Sequence, residues 1–312
     1  MRERLQFGVM VPQINCGDYA ASRTVAQQAE ALGYDSVWVA DHLFGIPGPE
    51  DTLFLECWTL LTALAVETRR VRVGTMTLCN GFRHPALLAK MAATLDVICG
   101  GRLEVGIGSG WYEREFLSYG YPFPKASVRA RQLDEALQIL KHMWSDSTAN
   151  FTGTHYQLSD APNEPKPLQK PRPPIHIGGD GEKVMLPLVA RHADWWSYWM
   201  AATSDGFRYK LGVLERCCKE AGRDFASLKK SLIGPIVVVE SEKEISLLLA
   251  DLEKKGLHFG ARIGMIGTAD TVCKRLEEYR QLGVSLFIVA PLFSDWQIFL
   301  PLLKEKVISQ LR

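Results

Sequence analysis

The sequence predicts a protein of the α/β class, a closed (β/α)8 TIM barrel with insertions, because two kinds of segment alternate along it. Short apolar runs rich in β-branched and aromatic residues occur eight times, at residues 5–11, 36–40, 71–75, 103–107, 175–178, 195–198, 232–239 and 286–290. Runs that are apolar throughout are typical of parallel strands covered on both faces, as in a barrel. An open, doubly wound sheet is the alternative.

The segments between these runs have the apolar spacing of amphipathic helices. Leu88, Leu95 and Ile98 with the Met91–Ala92 pair follow the i, i+3/i+4, i+7 rule. For the first helix, Asp18 is a candidate N-cap and Gly33 a candidate residue just past the C-terminus. Strands and helices therefore alternate as the barrel requires.

The length of 312 residues fits one barrel domain over 1–312, with insertions at about 145–174 and 256–267. Within the first insertion, residues 151–159 predict a small hairpin around Gly153, and the six prolines of 160–174 exclude helix. The second, glycine-rich insertion is either an ordered loop bordering a site or a simple connector.

Composition limits the classes of partner. The 36 Lys and Arg residues nearly balance the 35 Asp and Glu residues, which leaves no basic field for nucleic acid or an anionic membrane. We expect a small-molecule partner. The absence of a long apolar window and of an N-terminal signal pattern favours a cytoplasmic location. The seven cysteines have irregular spacing, typical of free thiols.

Candidate functional residues lie where the predicted strands end, because ligands of such barrels bind at the carboxyl ends of the strands. Asp41 and His42 follow the second strand, and a histidine there can exchange protons near neutral pH. Thr77 and Asn80 follow the third strand and offer small hydrogen-bonding groups, although an ordinary βα connection is an equal interpretation.

Two glycine-rich segments follow the fourth and fifth strands. Residues 101–115 contain a Gly-x-Gly-x-Gly run and then Trp111, so main chain could approach a flat ring with an indole beside it. Residues 178–183 precede a helical run, which predicts a phosphate site at the helix N-terminus. Asp180 would repel a phosphate if it pointed inward, or it caps the helix instead.

Competing chemistries lack their motifs. The seven histidines show no H-E-x-x-H or paired Cys/His spacing, so no metal site is expected. The sequence contains no G-x-S-x-G elbow and no G-x-x-x-x-G-K-[ST] loop. Hydrolase and kinase interpretations are therefore disfavoured.

Five segments in order resemble one family. They are F-G-V-M-V-P-Q at 7–13, V-W-V-A-D-H at 37–42, F-R-H-P-A-L-L-A-K at 82–90, G-R-L-E-V-G-I-G-S-G-W at 101–111 and P-P-I-H-I-G-G at 173–179. Together they resemble the bacterial luciferase-like flavin monooxygenase superfamily, and G-W-Y-E-R-E-F with D-A-P-N-E-P-K-P is similar to its coenzyme F420-dependent branch. The resemblance implies a (β/α)8 barrel and commonly a homodimer.

The resemblance also implies roles for particular residues. His42 would lie beside the reactive ring as the catalytic residue, and a non-proline cis peptide near Met76–Thr77 would press on the back of the ring. The implied cofactor-binding set is Asp41, Thr75, Met76, Thr77, Asn80, Ser109, Gly110, Trp111, Gly178, Gly179, Asp180 and Gly181. Trp111 stands where sugar-phosphate dehydrogenases of the superfamily place an acid, which argues against oxidation of a hydroxyl.

The implied activity is hydride transfer between coenzyme F420 and a small, fairly apolar organic substrate. One alternative is a monooxygenase that uses reduced FMN and oxygen, with a separate flavin reductase as partner. The other is a non-catalytic flavin-binding protein.

Overall fold

Eight parallel strand positions close into a barrel in the computed structural model, which describes residues 4–13, 18–45, 52–200, 203–254, 264–290 and 296–312. The strands are β1 Gln6–Met10, β2 Ser36–Val39, β3 Arg72–Thr75, β4 Leu78–Cys79, β5 Leu103–Gly108, β6 Thr148–Thr152, β7 Gln157–Pro162, β8 Ile175–Gly178, β9 Trp195–Trp199, β10 Lys229–Gly234, β11 Ile236–Val238, β12 Met265–Gly267 and β13 Val284–Val289. The barrel order is β1, β2, β3 with its continuation β4, β5, β8, β9, β10, β13 and back to β1. The predicted fold class is confirmed.

Helices occupy the segments between strands. They are α1 Tyr19–Ala31, α2 Cys57–Glu67, α3 Pro85–Ile98, α4 Glu113–Ser118, α5 Ala126–Ser145, α6 Met185–His192, α7 Asp205–Glu220, α8 Glu242–Lys254, α9 Ala269–Gln281, α10 Trp296–Leu303 and α11 Ser309–Leu311. The predicted ends of α1 are confirmed, since the Asp18 side chain accepts from the Ala21 amide and Gly33 has a φ of +78°. No described helix combines the length and apolar character of a membrane span.

The barrel closes at a seam between β3 and β5. Val73 pairs with Leu103 below the interruption at Met76–Thr77, and Leu78 of β4 pairs with Ile107 above it. The peptide bond between Met76 and Thr77 is cis, as the family resemblance implied.

One hydroxyl bridges this seam. Thr75 Oγ1 donates to the Gly106 carbonyl at 2.8 Å and accepts from the Gly106 amide at 3.0 Å. A Cβ on Gly106 would lie 1.9 Å from the Thr75 carbonyl oxygen, so the two strands approach this closely only with glycine at that position.

The region of the first predicted insertion contains a two-stranded sheet separate from the barrel. β6 and β7 form an antiparallel hairpin, longer than predicted, and the Glu135 carboxylate of α5 accepts from the amides of Thr154, His155 and Tyr156 at its turn. The proline-rich continuation contains two cis X-Pro bonds, Glu164–Pro165 and Lys170–Pro171.

The run at 232–239 is not one barrel strand as expected. The barrel strand β10 ends at Gly234, and after Pro235 the chain continues as β11, which pairs outside the barrel with β12. Proline has no amide to donate to the ladder, which explains the break. Part of the second predicted insertion, residues 255–263, lies outside the described residues.

Apolar packing separates into two regions. A large cluster fills the space between helices and barrel, for example Leu61 of α2 and Leu137 of α5 against the strands. A smaller cluster lies inside the barrel around Trp38 and Trp195. Trp38 fits there because Gly74 on the adjacent strand has no side chain: a Cβ would lie 2.4 Å from the indole.

We predict that Gly106→Ala destabilises the protein by at least about 1–3 kcal/mol, since the added methyl group meets main chain across the seam. Gly212→Ala is the matched control: a Cβ at this position in α7 meets no atom within 4 Å, so it should stabilise by about 0.5–1 kcal/mol. Urea unfolding of both variants checks this. Equal stability of the two variants would contradict the close approach of β3 and β5 at Gly106.

Candidate active site

The carboxyl ends of β2, β4, β5, β8 and β9 surround a cavity of about 290 Å³. The ends of parallel strands meet at the same end of a barrel, so residues distant in sequence converge there. The lining residues are Asp41, His42, Met76, Thr77, Leu78, Cys79, Gly108, Ser109, Gly110, Trp111, Tyr112, Glu115, Phe116, Gly178, Gly179, Met185, Ser197, Trp199 and Ile233.

His42 and Glu115 form a hydrogen-bonded pair at one wall. His42 Nδ1 lies 3.0 Å from Glu115 Oε2, and the other carboxylate oxygen also accepts from the Leu43 amide. The Glu115 side chain is only 2% exposed, whereas that of His42 is 22% exposed. Because a carboxylate can only accept, Nδ1 carries the proton and the imidazole can exchange a proton at Nε2.

Asp41, the neighbour of His42, serves a different purpose. Its carboxylate accepts from Arg83 Nη1 at 2.7 Å and Nη2 at 3.0 Å and from the Cys79 amide at 2.8 Å. Arg83 also contacts Glu56, the N-cap of α2. Burial alone would lower the pKa of Arg83, but its bonds to Asp41 raise it above its ordinary value. Asp41 thus fixes β4 to the end of β2.

The floor of the cavity is built around Thr77. A Cβ added at Gly108 would lie 3.2 Å from Thr77 Oγ1, and a Cβ added at Gly178 would lie 3.2 Å from Thr77 Cγ2. These glycines leave room for the inward Thr77 side chain and keep main chain at the cavity surface. Cys79 also lines the cavity, and burial raises the pKa of its thiol to about 12, so it stays a protonated, unreactive group.

The mouth of the cavity is aromatic. Trp111 is 65% exposed and its ring centroid lies 6.1 Å from that of His42 and 5.2 Å from that of Tyr112. Phe54 also packs edge-on against His42, at 6.3 Å. Trp199, at the end of β9, is 49% exposed. Such amphipathic rings at a cavity mouth favour apolar or planar ligands.

The loop after β8 differs from the sequence expectation. The first helical residue is Met185, with Val184 as an N-cap that makes no side-chain bond, so Gly178 and Gly179 precede the helix by more than one turn. Asp180 does not cap α6; its carboxylate lies 4.0 Å from Lys210 Nζ of α7. Main chain at Gly178 and Gly179 still faces the cavity.

Comparison with known proteins agrees with this architecture. Residues 5–256 match the family described as luciferase-like monooxygenase. The chain belongs to this family. It is 26% identical over 267 residues to an FMNH(2)-dependent dimethylsulfone monooxygenase of Pseudomonas putida, covering 82% of this chain and 71% of that protein. It is 34% identical over 171 residues to an F420-dependent glucose-6-phosphate dehydrogenase of Amycolatopsis mediterranei, covering 54% of this chain and 48% of that protein.

Solved structures show the same fold. An F420-dependent secondary alcohol dehydrogenase in complex with an F420-acetone adduct superposes with a TM-score of 0.83 at 24% identity, over 99% of both chains. EDTA monooxygenase from Chelativorans sp. BNC1 superposes with a TM-score of 0.82 at 16% identity, over 99% of this chain and 93% of that one. Both F420 and FMN therefore occur among the relatives of this luciferase-like chain.

The structure brings most of the predicted site residues together. His42, Asp41, Met76, Thr77, Ser109, Gly110, Trp111, Gly178 and Gly179 line the cavity. Thr75, Asn80, Asp180 and Gly181 do not line it: Thr75 bridges the seam, and Asn80 Nδ2 donates to Tyr156 of the hairpin at 3.3 Å. Sequence reasoning missed Glu115 and Ser197. Glu115 carried one weak signal, its place in the G-W-Y-E-R-E-F segment that resembles the family.

The cavity fits a flat, polar ring with a phosphate tail. Glycines at 108, 110, 178 and 179 expose main chain to the cavity, and no Lys or Arg side chain is among the described lining residues. A phosphate would therefore be held by amides and hydroxyls. Within the described part of the chain, no group of three His, Cys, Asp or Glu side chains is arranged to hold a metal ion.

We predict that Asp41→Asn destabilises the protein by about 2–4 kcal/mol, because it leaves the buried Arg83 with only part of its partner charge. Glu305→Gln, at an exposed ion pair with Lys306, should change stability by less than about 0.5 kcal/mol. Urea unfolding and cofactor titration of each variant check this. Unchanged stability with lost cofactor binding would instead make Asp41 a ring contact.

Proposed function

We propose that this luciferase-like oxidoreductase transfers hydride between coenzyme F420 and a small, uncharged organic substrate. The observation that carries the proposal is the His42–Glu115 pair at the wall of a cavity where five strands end, two of them exposing glycine main chain. A flavin-binding protein without activity would have no need of a histidine oriented by a buried carboxylate. The pair therefore favours an enzyme over a storage protein.

The protein's own groups would divide the work as follows. Main chain at Ser109, Gly110 and Gly178–Gly179 would hold the cofactor, and Met76–Thr77 would lie behind its ring. Bound F420 would supply hydride chemistry at C5. His42 would take or give a proton at Nε2, while Glu115 fixes the orientation of its imidazole.

The comparisons support both cofactors. With no cationic side chain among the described lining residues, amides and hydroxyls would hold the phosphate of either F420 or FMN, so the charge of the cavity does not separate them. The 34% identity over 171 residues to an F420-dependent glucose-6-phosphate dehydrogenase supports F420. The match to an FMNH(2)-dependent monooxygenase over 82% of the chain supports the alternative of a two-component FMN enzyme using oxygen, with a separate flavin reductase as partner.

The His42–Glu115 pair makes alcohols possible substrates. Trp111 takes the place of an acid found in sugar-phosphate dehydrogenases, but His42 with Glu115 supplies a proton acceptor at the cavity. For oxidation of a secondary or primary hydroxyl, the bound cofactor would supply the hydride acceptor and His42 Nε2 would take the hydroxyl proton. The aromatic mouth would favour small, uncharged alcohols or carbonyl compounds.

We also propose that the protein is a homodimer. Val66 of α2 and Leu87 and Ile98 of α3 are exposed on adjacent helices, which supports an apolar contact with a second copy. Sedimentation velocity can measure whether the protein is a dimer in solution.

Titration with F420 and with FMN, followed by fluorescence of the eight tryptophans, should show tighter binding of F420. Trp111 beside the ring should give a large part of the quenching, so Trp111→Phe serves to assign the signal. Tight FMN binding without any F420 response would overturn the choice of cofactor but not the oxidoreductase class.

His42→Ala should bind the preferred cofactor normally and lose about 10²–10⁴-fold in kcat, because the proton acceptor is gone. Glu115→Gln should lower kcat with little change in cofactor affinity, since it acts through His42. Glu113→Gln, on the same helix but exposed, is the matched control and should be neutral. Turnover is followed by F420 absorbance with a panel of small alcohols. Unchanged kcat in His42→Ala would remove His42 from catalysis.

A further inference from the structure

A chain of buried polar groups runs through the barrel interior beneath the cavity. His176 Nε2 lies 2.6 Å from Glu104 Oε2, and His176 Nδ1 lies 3.4 Å from Ser197 Oγ. Ser197 Oγ lies 2.8 Å from Ser231 Oγ on the next strand. These groups come from four adjacent strands, β5, β8, β9 and β10.

Such a chain is unusual in a barrel, whose interior is normally filled by branched aliphatic side chains. A buried ion pair contributes little net stability compared with apolar residues of similar size. Trp195 stacks on the His176 ring at 5.2 Å and Trp38 packs edge-on at 4.9 Å, so the imidazole is held in one position. The arrangement therefore suggests a role beyond packing.

Ser197 is the member of this chain that reaches the cavity. It lines the cavity beside Met76, Thr77 and Ile233, whereas His176, Glu104 and Ser231 are absent from the lining. Whatever the buried pair does to a ligand must pass through the Ser197 hydroxyl.

The protonation of His176 decides the direction of that hydroxyl. Burial alone would raise the pKa of Glu104, but its bond to His176 and the charge of Arg72 lower it, so it is a carboxylate and accepts from Nε2–H. When Nδ1 is bare, Ser197 donates to it and offers a lone pair to the cavity. When Nδ1 carries a proton, it donates to Ser197 Oγ and frees the hydroxyl proton for the cavity.

We propose that Ser197 contacts the cofactor ring bound in the cavity, and that His176, positioned by Glu104, sets whether this contact donates or accepts a hydrogen bond. This rests on the proposed function, because it requires a ring in the cavity. The edge of a flavin or deazaflavin pyrimidine offers mainly carbonyl and nitrogen acceptors, so the donating state binds more tightly.

Several fixed charges surround His176. Glu104 faces it from β5, with Arg72 of β3 behind that carboxylate. Lys229 Nζ lies 5.1 Å from the centroid of Trp195, on which His176 stacks. The groups facing it from β2 and β9 are Trp38, Trp195 and Ser197, none of which titrates near neutral pH. A pH effect passing through Ser197 therefore reports His176.

The test is the dissociation constant of F420 and of FMN measured from about pH 5.5 to about pH 8.5, where a histidine changes charge. In the wild type, the constant for the cofactor that binds should fall about tenfold toward low pH, the effect of one hydrogen bond gained. Ser197→Ala should reduce this to less than about twofold, and His176→Gln should do the same. Ser22→Ala is the control, since it removes a buried hydroxyl of α1 that lies outside the lining and has no hydrogen-bond partner among the described residues, and it should keep the wild-type profile.

Each outcome decides one question. If His176→Gln fails to fold by circular dichroism, Ser197→Ala carries the test, because it leaves the Glu104–His176 pair intact. A wild-type profile that Ser197→Ala leaves unchanged, or a flat wild-type profile, overturns this inference while the proposed function stands. If the wild type binds neither F420 nor FMN, the proposed function fails and this inference fails with it.

Discussion

The contact between Thr75 and Gly106 is the constraint on which the site depends. It closes the barrel where β3 is interrupted, and it lets the chain turn inward at Met76–Thr77 before β4 resumes pairing with β5. The inward Thr77 needs space, which glycines 108 and 178 on two neighbouring strands provide. Closure of the barrel and exposure of main chain to the cavity therefore depend on each other, because the inward turn at the seam requires the glycines whose main chain faces the cavity.

The consecutive residues Asp41 and His42 show how position at a strand end separates structure from chemistry. Asp41 is turned toward Arg83 and the Cys79 amide and ties β2 to β4, so its charge is already compensated. His42 lines the cavity, and its Nδ1 is held by Glu115. Because Asp41 is held rigidly, it limits the directions in which the His42 side chain can point. Proton transfer requires this kind of preorganisation.

The sequence sufficed for the fold and for residues placed by strand ends alone. His42, Ser109 and the glycines 178 and 179 follow apolar runs, and parallel strands bring such positions together whatever else the chain does. Glu115 could not be derived this way, because its contact with His42 spans 73 residues and depends on the rotation of α4. Ser197 was hidden inside a run of tryptophans, where alternation gives a facing direction but not a partner. The alternative of Asp180 as a helix cap was wrong because its carboxylate lies near Lys210 of α7, a contact over 30 residues that the local pattern does not contain.

Each carboxylate close to the cavity has a cationic or imidazole partner: Asp41 has Arg83, Glu115 has His42, and Glu104 has both His176 and Arg72. The charges of these carboxylates are therefore balanced within the protein. In the proposed function, hydride transfer to a bound ring would add negative charge in a poorly solvated cavity, where compensation is worth more than in water. His42 would supply this compensation at the mouth, beside the substrate, and His176 would supply it at the floor, through the Ser197 hydroxyl.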